Sequence, residues 1–273
     1  MRSGVVLACL PLLNERCETM TQRAQWYIAS FMVHRDLGGG SEALCATRQY
    51  WCLLTAESSN RAHTGVMDLA RATASALETS DTTRSGWILD GIMELLMLSE
   101  APSHGSELIW EQAEFLPEEI LRCVKEKADL SAFRSHVQVP DSSEWYVCEL
   151  VLVEVHDTGS HGDSALVWIN TYLLRAADAE SAYRSAISLG GEQATEPESH
   201  RCDDDTAHWE FRGLRELVQA LAPPEDGAIL WYEQSERSLD EVRTIVPRQR
   251  ELGVFEWEER QSRSGESPVS DRS

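Results

Sequence analysis

The chain has 273 residues, of which 42% are hydrophobic, and this is enough apolar material for one large core or two smaller ones. Asp and Glu number 46 against 24 Lys and Arg, so the formal net charge is −22. Because an acidic surface repels nucleic-acid phosphates and anionic lipid headgroups, we expect neither a nucleic acid nor a membrane as a partner.

Residues 1–19 contain a short apolar run from Val5 to Leu13. This run is far shorter than the roughly 20 residues that a helix needs to cross a bilayer. It has a weak charged region before it and no A-x-A cleavage site after it, so a signal peptide is the minor alternative. We expect residues 1–19 to be a disordered extension, or the result of a start codon assigned upstream of Met20.

The chain has seven cysteines, an odd number, and none of them forms a C-x-x-C pair. This pattern indicates neither a disulfide framework nor a zinc site. Cys52 and Cys148 lie inside apolar, strand-like runs, where we expect them to be small buried side chains. The cysteine usage therefore favours a reducing cytoplasm.

A pattern that opens with Trp26–Tyr27 returns at Trp145–Tyr146, about 120 residues later. Further matches follow in the same order at a nearly constant offset: LLTAESSNRAHTGVMDL (53–69) with LLRAADAESAYRSAISL (173–189), and WILDGIMEL (87–95) with WEFRGLREL (209–217). We interpret the chain as a duplication, with a divergent first repeat at 20–136, a second repeat at 137–260 and a disordered tail at 261–273. The tryptophans that recur in both repeats are predicted to be core residues: Trp26, Trp87, Trp145 and Trp209.

The second repeat shows the order of elements most clearly. Trp145–Val155 is apolar on both alternating faces and predicts a central strand, which a hairpin joins to a strand at 165–176. Asp178 then caps a helix with one apolar stripe, which we expect to end at Gly190–Gly191. The remaining predicted elements are strands at 208–218 and 228–234, a helix that opens with the capping box at Ser238 and Glu241, and a final strand at 252–257.

The predicted order of each repeat is β-β-α-β-β-α-β. Because hairpins outnumber parallel crossovers, this order predicts an α+β fold, with a mostly antiparallel sheet and helices on one face. The two copies are expected to pack as a pseudo-symmetric pair, which makes the chain an internal pseudo-dimer.

The segments WYVCELVL, NTYLLRAADAESAYRSAISLG, WEFRGLREL, EDGAILWYEQ and ELGVF resemble the small bacterial family catalogued as domain of unknown function 4288. The resemblance covers most of 145–255. The first repeat matches less well, chiefly through WYIASF, LIWEQ and LSAF, and it has Asp90 where the family pattern has an arginine. The family has no assigned activity, so the resemblance implies no catalytic residues. It implies the same fold and a bacterial, intracellular setting.

No catalytic or nucleotide-binding motif occurs: the sequence lacks G-x-S-x-G, G-x-G-x-x-G, the P-loop and H-E-x-x-H. Asp-Thr-Gly in DTGSHGDS (157–164) is interpreted as part of a hairpin turn. HRCDDD (200–205) contains possible metal ligands, but its spacing fits no standard zinc site. We therefore predict no cofactor and no metal.

Charged residues interrupt the apolar strands of the second repeat and are the best indication of a site. Six of them are predicted to bind a ligand or partner: Glu149, Arg175, Arg212, Arg215, Glu216 and Glu233. At the equivalent positions in the first repeat only Glu94, opposite Glu216, and Glu111, opposite Glu233, retain the charge. Because unpaired charges are costly to bury, partners or solvent must be near. The alternative is that these residues form ordinary solvated faces and surface ion pairs.

These observations leave three functional hypotheses. The first is a non-enzymatic, acidic binding or regulatory protein of the bacterial cytoplasm, an immunity-like or antitoxin-like partner of a basic protein. The second is a small-ligand-binding protein or an enzyme that uses the Arg/Glu cluster of the second repeat. The third is a structural tandem module of a larger assembly.

Overall fold

A computed structural model describes residues 24–35, 42–80, 86–134, 144–156, 164–195, 201–202 and 205–264. The described residues form nine strands and five α-helices. In chain order these are β1 (Gln25–Arg35), β2 (Leu44–Ala56), α1 (Ser59–Ser80), β3 (Trp87–Met97), β4 (Glu107–Phe115), α2 (Pro117–Cys123), β5 (Trp145–His156), β6 (Ala165–Arg175), α3 (Ala179–Thr195), β7 (Arg201–Cys202), β8 (Asp205–Gln219), β9 (Ile229–Ser238), α4 (Leu239–Ile245) and α5 (Gly253–Ser264).

The elements divide into two compact units. The described residues of one unit all lie between Pro102 and Pro224, with no described residue of the other unit among them, and we call it the contiguous unit. The other, the split unit, combines described residues up to Ala101 with those from Glu225 onward. These units do not coincide with the sequence repeats at 20–136 and 137–260, which remain a prediction about how the chain arose.

Each unit is built on one antiparallel sheet. The split unit has the strand order β3-β1-β2-β9, and the contiguous unit has the order β4-β6-β5-β8-β7. All of the strand pairs are antiparallel. The prediction of an α+β fold with antiparallel sheets is therefore confirmed, and the strand predicted at Trp145–Val155 is central, as its apolar residues on both faces indicated.

The core of the split unit lies between its sheet and α1. Alternate residues of β1, such as Tyr27, Ala29 and Phe31, point to the same face as the buried residues of α1. Leu252 and Val254, which come from the end of the chain, complete this core and are 1% and 3% exposed.

In the contiguous unit, the two faces of the sheet carry different helices. Cys148 and Leu150 of β5 pack with the buried residues of α3. Val151 and Val153 belong to a second cluster with residues at the end of α2. Because Val151 and Val153 alternate with Cys148 and Leu150, the short helix lies against the face opposite α3. The predicted position of the helices, on one face of the sheet, therefore applies to the long helix α3 and not to the short helix α2.

The final predicted strand, 252–257, is wrong. A 3-10 turn at Gln249–Glu251 leads directly into α5, which runs from Gly253 to Ser264. The reason is that so short an apolar segment fits a helical period as well as an alternating one. Helix α5 also includes the first four residues of the predicted tail, and 265–273 lie outside the described residues, as do 1–19.

The predicted helix end at Gly190–Gly191 is also wrong, because α3 continues to Thr195. A Cβ atom at Gly190 would lie 2.4 Å from the Phe211 ring. Glycine is therefore needed here so that the helix can approach β8 closely, and not to end the helix.

The recurring tryptophans are buried only in part. Trp87 and Trp209 are each 7% exposed, as expected for core residues. Trp26 and Trp145 are half-buried, so the core prediction for these two is too strong. Among the described residues, no helix is both long enough and apolar enough to cross a membrane.

Candidate functional site

Strand β8 carries two bulges that position the candidate site. Its pairing with β5 shifts after Glu149 and again after Val151, so Arg215 and Arg212 are the extra residues. Gly213 lies between them with a φ of 137°, a conformation that favours glycine. Bulges redirect side chains and increase the local twist. Here they bring the Arg215 side chain next to Glu149 of β5 and Glu111 of β4.

Arg215 joins two carboxylates. Its Nε donates a hydrogen bond to Glu149 Oε2 at 2.7 Å, and its Nη1 donates one to Glu111 Oε2 at 3.3 Å. The Glu149 side chain is 10% exposed, whereas that of Glu111 is 42% exposed. A buried carboxylate needs a charged, hydrogen-bonded partner, so Arg215 supplies what Glu149 requires.

The same contacts set the protonation of the arginine. Desolvation lowers the pKa of Arg215, but the hydrogen bond and negative charge of Glu149, together with the charge of Glu111, outweigh it and raise that pKa above its usual range. The guanidinium is therefore a permanent cation and not a proton donor or acceptor.

A second ion pair lies beside this one. Lys125 Nζ donates to Glu216 Oε2, and the other oxygen of Glu216 accepts a hydrogen bond from the Ser131 backbone N–H at 2.7 Å. The Lys125 backbone N–H in turn donates to the Leu214 carbonyl at 2.8 Å, which fixes the segment after α2 onto β8. We call Glu111, Lys125, Glu149, Arg215 and Glu216 the polar cluster.

Cys123 at the end of α2 is a nucleophile candidate close enough to the polar cluster for the charges of Arg215 and Glu149 to act on its thiol. Burial raises the pKa of its thiol, and the opposing effect of Arg215 is too small to reverse this. The thiol is therefore mostly protonated at neutral pH, and reactive cysteines require the thiolate. The cluster thus offers charge and hydrogen bonds but no activated sulfur.

The structure brings three of the six predicted site residues together, namely Glu149, Arg215 and Glu216. Arg175 instead forms an exposed pair with Glu144 at 2.8 Å. Arg212 pairs with Glu210 at 2.9 Å, and both side chains are more than two-fifths exposed.

The sixth predicted residue, Glu233, lies on β9, which belongs to the split unit, where it is the register partner of Gln49. The predicted set is therefore not one site. It divides between the polar cluster, two surface ion pairs and a strand of the other unit.

Glu111 and Lys125 were missed by the sequence prediction because they belong to the first repeat. Glu111 occupies the position of Glu233, and both were recognised as equivalent charges. What the sequence did not reveal is that β4, with Glu111, pairs with β6 of the second repeat. One partner of Arg215 therefore comes from the first repeat, whereas the predicted cluster contained only residues of the second.

A second polar arrangement, in the split unit, was also missed. His34 Nδ1 and Asp90 Oδ1 are hydrogen-bonded at 2.7 Å, with side chains that are 9% and 12% exposed. Desolvation raises the pKa of Asp90, although the charge and hydrogen bond of His34 and the charge of Arg243 oppose this. The other oxygen of Asp90 is buried without a hydrogen-bond partner. The signal available in the sequence was Asp90 itself, where the family pattern has arginine.

Within the described ranges, no group of three or more His, Cys, Asp or Glu side chains could hold a metal ion. The possible ligands at 200–205 lie outside the residues whose side chains are described, and most of the turn at 157–164 is likewise outside them. Each carboxylate of the polar cluster already accepts a hydrogen bond from Arg215 or Lys125. The cluster can therefore hold its strands together, or bind an anion through one of these two cations.

Comparison with known families adds one relationship. Residues 145–231 match the model of the family described as domain of unknown function (DUF4288), and this range covers β5 to the start of β9. Neither the curated proteins nor the solved structures contain a match to the chain. The second repeat is therefore similar to one copy of the DUF4288 domain.

Proposed function

We propose that the chain is a non-enzymatic, acidic binding or regulatory protein whose partner carries a basic surface. The observation that carries this proposal is the internal pairing of the polar cluster. Its two cations, Arg215 and Lys125, are taken up by Glu149, Glu111 and Glu216. With three carboxylates and two cations the cluster has a net charge of −1, so −21 of the formal net charge of −22 lies elsewhere in the chain.

The electrostatic consequence is long-range attraction of cations. A net charge of this size steers basic partners toward the protein, and this steering weakens as salt screens it. Exposed carboxylates such as Glu114, Glu118 and Glu126 surround α2 in the contiguous unit. An immunity-like or antitoxin-like protein that neutralises a basic partner would use this kind of surface.

A reducing bacterial cytoplasm is the proposed setting. In the described part of the chain Cys52, Cys123 and Cys148 are free thiols, and two of them are buried. Burial raises the pKa of Cys52 to about 12, so its thiol stays protonated and unreactive. Such thiols are compatible with a compartment that keeps cysteine reduced.

The test is affinity capture with the full chain as bait, at low and at high salt. We expect retained proteins to be basic and to elute as salt rises. A variant with Glu114, Glu118 and Glu126 changed to Gln should retain less of them than a control variant with Glu57, Glu78 and Glu100 changed to Gln, because both have the same net charge and only the first changes the surface around α2. Retention that is independent of salt and equal in both variants would contradict the proposal.

A second candidate function is the binding of a small anion at Arg215. Glu111 is the more exposed and more distant of the two carboxylates on this guanidinium, so a ligand carboxylate or phosphate could replace it. Titration calorimetry with inorganic phosphate should detect tighter binding to Glu111→Gln than to the wild type. If neither protein binds phosphate or acetate, this candidate is wrong.

A further inference from the structure

The two sheets have the same strand order once equivalent strands are compared. In the split unit the order is β9-β2-β1-β3, and in the contiguous unit it is β4-β6-β5-β8. In each sheet three of these four strands come from one predicted repeat, as does β7 beyond β8, and the strand at the other end comes from the other repeat. β4 of the first repeat thus occupies in one sheet the place that β9 of the second repeat occupies in the other.

The short helix and the residues after it accompany each of these two strands: α2 follows β4, and α4 follows β9, into the sheet formed mainly by the other repeat. A Cβ atom built on Gly213 would lie 2.6 Å from Val124 Cγ1, and one built on Gly91 would lie 2.7 Å from Val246 Cγ1. Each glycine is thus in close contact with the valine that follows the short helix of the other repeat. Further along, Leu130 is buried in the core of the contiguous unit, and its counterpart Leu252 is buried in that of the split unit.

We propose that each repeat binds the other by exchanging this strand–helix segment, so that the two halves of the chain stay together without the peptide link between them. The partner surface is the free edge of a three-stranded sheet together with a glycine on its face. Its occupant is the equivalent segment of a second copy of the repeat. This proposal does not depend on the proposed function.

The backbone contacts explain why exchange should be strong. β9 pairs with β2 from Leu44↔Ser238 to Cys52↔Ile229, and β4 pairs with β6 from Glu107↔Tyr172 to Phe115↔Ala165. If either segment left, its backbone groups and those of the exposed sheet edge would lose their partners. Addition of a strand to a sheet edge is a known mode of recognition in which main-chain hydrogen bonds provide affinity.

The experiment uses the full chain with a protease recognition sequence inserted between Arg134 and Glu144. After the folded protein is cut, we expect both fragments to elute together as a one-to-one complex on size exclusion, and to separate only in denaturant. Separation of the fragments in native buffer would overturn the proposal.

A disulfide distinguishes exchange from any other association of the halves. Cys45 is the register partner of Arg237, and Ala165 is the register partner of Phe115, the residue equivalent to Arg237. Opposite residues of antiparallel strands have Cα separations that suit a disulfide. If the strands are exchanged, the cysteine introduced by Arg237→Cys should form a disulfide with Cys45 on oxidation, and this bond should link the two fragments after cutting.

The matched variant carries Cys45→Ser, Ala165→Cys and Arg237→Cys. In it a disulfide between positions 165 and 237 can form only if β9 pairs with β6 of its own repeat, in which case the bond lies within one fragment. We expect no such bond. A disulfide between positions 165 and 237 in this variant, or none between Cys45 and position 237 in the first variant, would overturn strand exchange.

Discussion

The face of the sheet under α2 in the contiguous unit and the equivalent face under α4 in the split unit share a backbone but differ in chemistry. Both have two bulges around a glycine of positive φ, and both place a valine on that glycine. Where the contiguous unit has Glu149 and Arg215, the split unit has Ser30 and Met93. Ser30 is completely buried and accepts a hydrogen bond from Gln49 Nε2 at 3.0 Å.

The comparison reverses at the neighbouring bulge. There the split unit has the buried His34–Asp90 pair, whereas the contiguous unit has Val153 and the exposed Arg212. The same backbone frame therefore accepts an ion pair or a neutral hydrogen bond at one bulge, and a buried His–Asp hydrogen bond or a valine at the other. The polar cluster is not a requirement of the fold, and this is the reason to examine it as a functional feature.

The largest expected effect follows from giving the contiguous unit the apolar residue of its counterpart. Arg215→Met should leave the Glu149 carboxylate buried without its cation, and removal of one partner of a buried pair typically costs about 3–5 kcal/mol. Urea unfolding of the full chain measures the loss in free energy of unfolding.

The matched control is the double variant Glu149→Ser with Arg215→Met, which copies the split unit at both positions. Because no buried charge is then left unpaired, most of the lost stability should return. A double variant as unstable as Arg215→Met would show that Arg215 acts through its packing and not through Glu149.

The next effect tests the shared frame. Gly213→Ala should lower the free energy of unfolding by about 1–3 kcal/mol, because it combines a strained φ with overpacking against Val124. Gly91→Ala should cost a similar amount through Val246. Gly227→Ala is the control, since its φ is 78° but no atom lies within 4 Å of the added Cβ. Equal losses at Gly213 and Gly227 would mean that the valine contact adds nothing.

Much of the fold could be predicted because the signals are local. The apolar run at 145–156, the capping box at Ser238 and Glu241, and the Asp178 cap are each encoded within a few residues. The exchange of β4 and β9 is not local. LIWEQ and LWYEQ present the same pattern to either sheet, so the pairing depends on tertiary packing that periodicity does not report.

The candidate site shows the same limit. Glu149, Arg215 and Glu216 were found because charges within apolar strands are conspicuous in any sequence. Glu111 and Lys125 were not assigned to them, since their proximity arises from the exchange. The His34–Asp90 pair was hidden because a single histidine in a strand has no motif.

A smaller effect concerns pH and the Asp90 pair. The pKa of Asp90 is raised in the folded state, so the folded chain binds this proton more tightly than the unfolded chain does. Its contribution to stability is present below the ordinary Asp pKa of about 3.9 and is lost as pH rises through the folded value. We therefore expect the stability of wild type relative to Asp90→Asn to fall as pH rises from about 4.

Urea titrations at several pH values measure this difference. Asp178→Asn is the control of opposite sign, because hydrogen bonds from the Ser181 region lower the pKa of Asp178. Its contribution is present above the ordinary Asp pKa and is lost as pH falls through the lower folded value. If the Asp90→Asn difference did not change with pH, desolvation of Asp90 would not be the dominant effect on its pKa.

The smallest expected effect comes from the starts of the two short helices. In α4, Ser238 Oγ accepts a hydrogen bond from the Glu241 backbone N–H, and Glu241 Oε2 accepts one from the Ser238 N–H. In α2 the equivalent N-cap residue is Leu116, which has no side-chain acceptor. Of the two capping-box bonds only one is therefore present, from the Leu116 N–H to Glu119 Oε2 at 2.8 Å. Leu116 is also 38% exposed, so little apolar burial would be lost on its replacement.

Leu116→Ser should therefore complete the capping box and raise the free energy of unfolding by about 0.5–1 kcal/mol. The reverse change in α4, Ser238→Leu, should lower it by a similar amount, since it removes the same hydrogen bond. Urea midpoints at an unchanged slope measure both. Because the two helices hold Val124 and Val246 on equivalent glycines, changes of opposite sign would show that the caps act alike in both units. If Leu116→Ser were destabilising instead, the apolar contacts of Leu116 would outweigh the cap, and the two helix starts would not be equivalent.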